Sequence, residues 1–279
     1  MTAYRADRGR GWSVAGAACL VLAVAGGLDG CSGKDRAAAP PETRVSATPA
    51  VTPSAPGATP VPAGSAAPVA EPYAPTIDRA AFGATVDNPY FPLLPGMRWE
   101  YRAETEDGVE TTLVRVSGRT RTVMGVVCVE VRDTVRLDGE VVEDTLDWYA
   151  QHRDGTVWYF GEDTKEYENG RVARTEGSWE AGVHGAMPGI MMPARPRAGD
   201  RYRQEYYRGE AEDIAEVVSI DERARVPQGS YDGVVETRET TPLEPAAVEH
   251  KYYARGIGPV LTIDVAGGGT RDELTSFSR

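Results

Sequence analysis

The stretch VHGAMPGIMMPARP, Val183 to Pro196, gathers Met187, Met191, Met192 and His184 in a chain that holds only 6 methionines and 3 histidines. Thioether sulfurs beside an imidazole suit Cu(I), because soft donors match a soft metal. The spacing speaks against that chemistry. Met191 and Met192 are adjacent, and Pro188 and Pro193 restrict the backbone on either side. Methionine is also the flexible filler of irregular apolar gaps. The run is therefore expected to be an irregular excursion that caps the apolar face of a sheet as a lid or plug, with a copper site as the alternative.

Other reactive side chains offer less. DTLDWYAQHRDGTVWYFGEDTKEY, Asp144 to Tyr167, is acidic. A calcium loop, however, needs oxygen ligands at alternate positions ahead of its glycine, and only Gln151 and Asp154 stand there. Asp144 and Asp147 are an odd number apart and would point to opposite faces of a strand, while Asp154 reads as a hairpin turn residue. Ser178 lies in GSWEAG, not in the G-x-S-x-G elbow of a nucleophile. His152 neighbours a turn, and His250 shares a strand face with Val248 and Tyr252, the setting of a hydrogen-bonded core histidine. Cys128, in VMGVVCVEV, has no basic neighbour and is expected to be an inert buried thiol. AGGGTRDE, Ala266 to Glu273, lacks the lysine and the helix of a phosphate loop. A glycosidase needs two carboxylates at a set separation, and no pair among 42 acidic residues stands out by sequence. No catalytic, cofactor or metal residue is assigned, and no cofactor is expected.

The elements that must position these residues are strands. Val123, Val127, Val129, Val131, Val135 and Leu137 fall on one face, with Glu130, Arg132, Thr134 and Arg136 opposite. Val142, Leu146 and Trp148 alternate with Val141, Glu143, Thr145 and Asp147. Asp107-Gly108, Ser117-Gly118, Asp138-Gly139, Asp154-Gly155, Asn169-Gly170, Arg208-Gly209 and Asp232-Gly233 punctuate the runs, and such pairs tolerate the positive φ of tight hairpin turns. No helical stripe of ten residues occurs, although Thr76 to Ala84 suits one short helical turn. The fold class is all-β: a strongly curved antiparallel meander of about ten to twelve strands, a half-barrel or closed barrel, because one sheet that long must curl or close. Met124 to Cys128, apolar at successive positions, is expected to be covered on both sides.

Upstream the composition changes. Arg5, Arg8 and Arg10 precede an uncharged run, Gly11 to Leu28, laid out as a secretory signal and too short for a comfortable membrane span. It ends in Leu28-Asp29-Gly30-Cys31, which resembles a bacterial lipobox; the resemblance implies diacylglycerol attachment at Cys31 after cleavage. Acyl chains, palmitate among them, anchor by about 0.8 kcal/mol per buried CH₂. From Ser32 to Pro75 the chain is Ala, Pro, Thr and Ser, too poor in large apolar groups to fold and stiffened by proline into an extended tether. The expected organisation is a signal peptide at 1–30, a lipidated cysteine and disordered tether at 31–75, and one β domain at 76–279. With 42 acidic against 30 basic residues the net charge is −12, which argues against nucleic acid as a partner.

Gly96, Trp99 and Tyr101 open the domain with G-x-x-W-x-Y, and Tyr253, Gly256, Gly258 and Val260 close it with Y-x-x-G-x-G-x-V. This order resembles a group of uncharacterised bacterial secreted or lipoprotein β-meander domains, and more distantly the LolA and LolB lipoprotein carriers, whose curved sheets hold acyl chains. Sequence and resemblance together predict a membrane-anchored envelope lipoprotein outside the cytoplasmic membrane. Its domain is expected to bind a lipid, another apolar ligand or an envelope component rather than to catalyse. A hydrolase of cell-wall or polysaccharide substrates is the alternative, and a copper-handling protein using His184, Met187, Met191 and Met192 is a second.

Overall fold

The computed structural model describes residues 72–266 and 269–279; the predicted signal peptide, Cys31 and the tether as far as residue 71 lie outside them. A 3-10 turn at Arg79–Ala81, where a short helical turn is expected, leads into β1 (Phe82–Gly83), β2 (Asp87–Asn88) and β3 (Phe91–Pro92). Five long strands follow: β4 (Arg98–Thr105), β5 (Gly108–Val123), β6 (Val126–Leu137), β7 (Glu140–His152) and β8 (Val157–Glu168). The middle of the chain is broken into β9 (Arg171–Arg174), β10 (Trp179–Glu180), β11 (Met187–Met192), β12 (Arg201–Arg203) and β13 (Glu205–Tyr206). Five more complete the fold: β14 (Ile214–Val226), β15 (Gly229–Thr240), β16 (Val248–Ala254), β17 (Gly258–Asp264) and β18 (Arg271–Ser278). The fold is all-β, as the period of two requires.

Neighbours in sequence are neighbours in the sheet, so the fold is an antiparallel meander. The last strand, β18, pairs with β4, with Leu274 opposite Tyr101 and Phe277 opposite Trp99. At the other end β8 pairs with β11, β11 with β13, and β12 with β14. Because β12 and β13 are consecutive pieces of one run, the sheet curls round to itself. It is closed except for a seam at Gln204, where the chain leaves the edge of β14 and takes up that of β11. Gly189 faces this seam, and a Cβ there would lie 2.0 Å from the carbonyl oxygen of Gln204. Only glycine admits so close a backbone approach.

Asp138-Gly139 and Asn169-Gly170 form the expected tight turns, with positive φ at both residues. Ser117-Gly118 and Asp232-Gly233 do not. They sit inside β5 and β15, where the register shifts between Val116 and Thr120 and again opposite Asp232, so these pairs make bulges that bend the sheet. The β5–β6 hairpin turns instead at Met124-Gly125, φ 50° and 79°. Met124 to Cys128 is therefore not a strand covered on both sides, and Val127 is exposed. On β7 the faces are opposite to the expected ones. Thr145, Asp147 and Tyr149 point into the barrel, while Leu146 and Trp148 lie outside, Trp148 beneath the Arg121 guanidinium 4.0 Å away.

Candidate functional site

One half of the barrel interior is apolar and packed. Trp99, Tyr101, Val116, Val131 and Tyr149 fill it, and Phe91 and Leu93 plug it. Trp99 Nε1 donates to the carbonyl of Ile257 at 2.8 Å and the Tyr101 hydroxyl to that of Pro259 at 2.9 Å, so both polar handles are committed to backbone. Tyr149 stacks on Tyr159 with ring centroids 4.7 Å apart.

The other half is lined with acid. On one side Glu110 and Thr112 of β5, Asp133 of β6, Glu143, Thr145 and Asp147 of β7, and Glu162 and Thr164 of β8 share it. Across from them stand Thr237 and Glu239 of β15, Glu249 and Lys251 of β16, Thr262 of β17 and Asp272 of β18. Each carboxyl acts on the next. Glu205 and Asp147 raise Glu162, Asp147 and Asp272 raise Asp133, and Glu110 and Glu249 raise Asp272, so the charges form one continuous belt. Lys251 sits in it, its Nζ 2.8 Å from Glu239 and 3.4 Å from Glu249.

Burial outweighs every other influence on most of these groups. It pushes the Glu110, Glu143, Asp147 and Asp213 carboxyls up to about 7, and those of Asp133, Glu162 and Asp272 well above the usual carboxylate range. Glu239 goes the other way. Burial opposes its charge, but Lys251 and the hydroxyls of Thr237 and Tyr253 hold it below its ordinary value. Hydroxyls knit the belt together. Tyr159 donates to Asp147 at 2.7 Å, Thr164 to Glu162 at 2.8 Å, and Thr145 to Thr164 at 3.1 Å. The satisfaction is incomplete: Glu110 Oε1, Thr112 Oγ1, Asp133 Oδ1 and Glu162 Oε1 are buried without a hydrogen-bond partner among the described residues. A void of about 30 Å³ lies where the acid half meets the apolar half, with Asp133 and Asp147 in its wall. That is room for one water-sized group, not for an acyl chain or a sugar ring.

The residues singled out by sequence lie elsewhere. The methionine run is no lid: Met187 to Met192 is strand β11 in the barrel wall, between β8 and β13. Met191 and Met192 are in the core, whereas His184 is exposed in a turn at φ 49°, so the copper set is not brought together. Among the described residues no three His, Cys, Asp or Glu side chains are grouped so as to hold a metal ion. Ser178 is structural, its Oγ accepting from Thr164 N at 2.9 Å and donating to Thr164 O at 3.1 Å. Asp154 serves its turn by accepting from Thr156 N at 2.8 Å. Cys128 is buried and free, and burial pushes its thiol up to about 12, the inert state expected of it. His250 is not a core residue: half-buried on the outer face, it places Nδ1 2.6 Å from Glu236.

Sequence reasoning missed the belt, although a signal for it existed. Asp133 sits between Val131 and Val135 in the inward phase, and Asp147 stands two residues before Tyr149. An acid on the core phase of a strand is the mark of such a lining.

No protein-family model matches the chain, and no curated protein does. Two solved structures are similar to it. One is a Bacteroides fragilis protein described as exported and as having a YmcC-like fold; it is 17% identical over 68% of this chain and 99% of that one, with a TM-score of 0.41. The other is a Parabacteroides distasonis protein described as a lipoprotein, 12% identical over 68% of this chain and 99% of that one, with a TM-score of 0.38. Neither is described as a LolA- or LolB-type carrier, and likeness at this level transfers no site residue.

Proposed function

We propose that the chain is a lipid-anchored protein of the bacterial cell envelope, held outside the cytoplasmic membrane by Cys31 and its proline-rich tether. Its barrel is a non-enzymatic binding module, and the ligand meets the acid half of the interior rather than the apolar half. The observation that carries this reading is the belt of buried carboxyls, several with unpartnered oxygens, around Lys251. Leaving buried polar groups unpaired costs about 1–3 kcal/mol each, and such under-satisfied, strongly perturbed groups gather where a protein receives a ligand. A belt of this kind selects a cationic, amine-bearing envelope component. The apolar half is filled by its own side chains, which does not favour a lipid there, and the space beside Asp133 and Asp147 is too small for the sugar that a hydrolase must seat.

Two measurements test it. Radiolabelled palmitate should be incorporated by the parent protein and not by Cys31→Ala; a labelled Cys31→Ala protein sinks the anchor. Spermine should raise the thermal midpoint of the full chain, and the double variant Glu110→Gln, Glu162→Gln should lose that response. No response in the parent, or an equal one in the variant, removes the acid half as the binding face.

A further inference from the structure

We propose that the void between Asp133 and Asp147 is a binding site for a single primary ammonium group, the tip of the cationic ligand that the acid half receives. The proposal rests on the reading of that half as the binding face and names the chemistry where it borders the apolar half.

Three features converge there. The first is acceptor capacity: Asp133, only 2% exposed, lines the void and has no partner for its Oδ1, while Asp147 shares the wall. The second is the company those acids keep. The rest of the wall is mainly apolar, with Phe91, Leu93, Trp99, Tyr101, Val131 and Tyr149 in it, and the N–H of Trp99 and the O–H of Tyr101 are already donated to backbone carbonyls. Asp133 and Asp147 are the carboxyls of that wall, without competing indole or Tyr101 donors. An ammonium group matches it, because it brings three donors and no acceptor and is attracted to the faces of tryptophan and tyrosine. The third is size. About 30 Å³ takes one water-sized group, so a primary ammonium fits and a quaternary one does not.

The same features exclude the nearest rivals. A calcium ion needs about six or more oxygen ligands, and no three acidic or histidine side chains are grouped for a metal among the described residues. An anion would meet the Asp147 carboxyl, which is partly ionised at neutral pH.

The probe is methylammonium chloride, set against sodium chloride and tetramethylammonium chloride at equal ionic strength, with the full chain. Methylammonium at about one hundred times its Kd should raise the thermal midpoint by about 5–10 °C, and the two controls should not. Asp133→Asn should abolish the shift. Asp232→Asn, an exposed acid outside both the belt and the void's wall, should keep it. A direct readout covers the case of an altered fold: ¹⁵N-ammonium should give an exchange-protected bound resonance in the parent and in Asp232→Asn, and none in Asp133→Asn. An equal response to sodium or tetramethylammonium, or a shift that survives Asp133→Asn, overturns the site. If methylammonium fails while spermine still acts through Glu110 and Glu162, this site falls alone. If both fail, the acid-half reading falls with it.

Discussion

Asp147→Asn should make the protein less sensitive to alkali. In the folded chain burial, opposed by the Tyr159 and Tyr149 hydroxyls, leaves the Asp147 carboxyl at about 7, against about 3.9 in an unfolded chain. A folded value above the unfolded one means stability that is fully present below about pH 4 and lost as pH rises through about 7. Every tenfold difference in proton affinity is worth about 1.4 kcal/mol, so this group alone removes about 4 kcal/mol by pH 8 and about 1–2 kcal/mol at pH 5. The amide cannot ionise, and it keeps an oxygen for the Tyr159 hydroxyl. Between pH 5 and pH 8 the parent should therefore lose about 2–3 kcal/mol more than the variant, or about 5–10 °C in midpoint for a domain of this size. Urea or thermal unfolding of both proteins across that range, followed by circular dichroism, measures it. Parallel pH profiles, or a parent more stable at pH 8 than at pH 5, would refute the account of Asp147 as a buried, mostly neutral acid.

The remaining expectations concern the belt's cation, the seam and the way the tether meets the barrel. Lys251→Met removes the partner of Glu239 and Glu249, all three side chains being under 10% exposed, and should destabilise by about 3–5 kcal/mol at pH 7 in denaturant titration. Raising that variant's Glu239 carboxyl should also recover part of the loss at pH 5. Gly189→Ala forces a methyl to within 2.0 Å of Gln204 O, and soluble yield should collapse or stability fall by about 3 kcal/mol or more, whereas Gly170→Ala, with open space around it, should be milder. Tyr73 donates to Pro188 O at 3.0 Å and lies against the Tyr206 ring at 5.4 Å. Tyr73→Phe should cost about 1 kcal/mol. Tyr73→Ala should speed amide exchange in Met187–Met192 more than in β6.

The strands and most of their turns were legible because both are local. Alternation over five or six residues sets a strand, and Asp138-Gly139 or Asn169-Gly170 needs nothing beyond itself to turn. What closes the sheet was not legible. The β18–β4 pairing joins residues some 175 apart, and the seam depends on Gly189 meeting Gln204, neither of which leaves a periodic trace. The site failed for a different reason. Sequence reasoning sends apolar residues inward, and on β7 that rule picks Leu146 and Trp148 over Thr145 and Asp147. Trp148 is buried all the same, but from outside, under Arg121. A tryptophan covered by a guanidinium on the outer face and an aspartate held by a tyrosine on the inner one look inverted in any hydropathy profile. The methionine run misled similarly: its prolines and glycines suggest irregular chain, yet Pro188 and Gly189 serve a short strand at a seam, where missing donors and missing side chains are tolerated.

The two halves of the interior also explain each other energetically. A belt with several unpartnered oxygens cannot hold a barrel together, since each such atom detracts from stability and mutual repulsion grows as the acids ionise. The apolar half must supply the cohesion. Tyr159 and Tyr149 link the two: their rings stack in the aromatic cluster while their hydroxyls hold Asp147. The acid half can then remain under-satisfied without the wall giving way, and a group that brings donors to it strengthens the structure. Ligand and fold are coupled through the same carboxyls, so occupancy should register as stability before it registers as any change of shape.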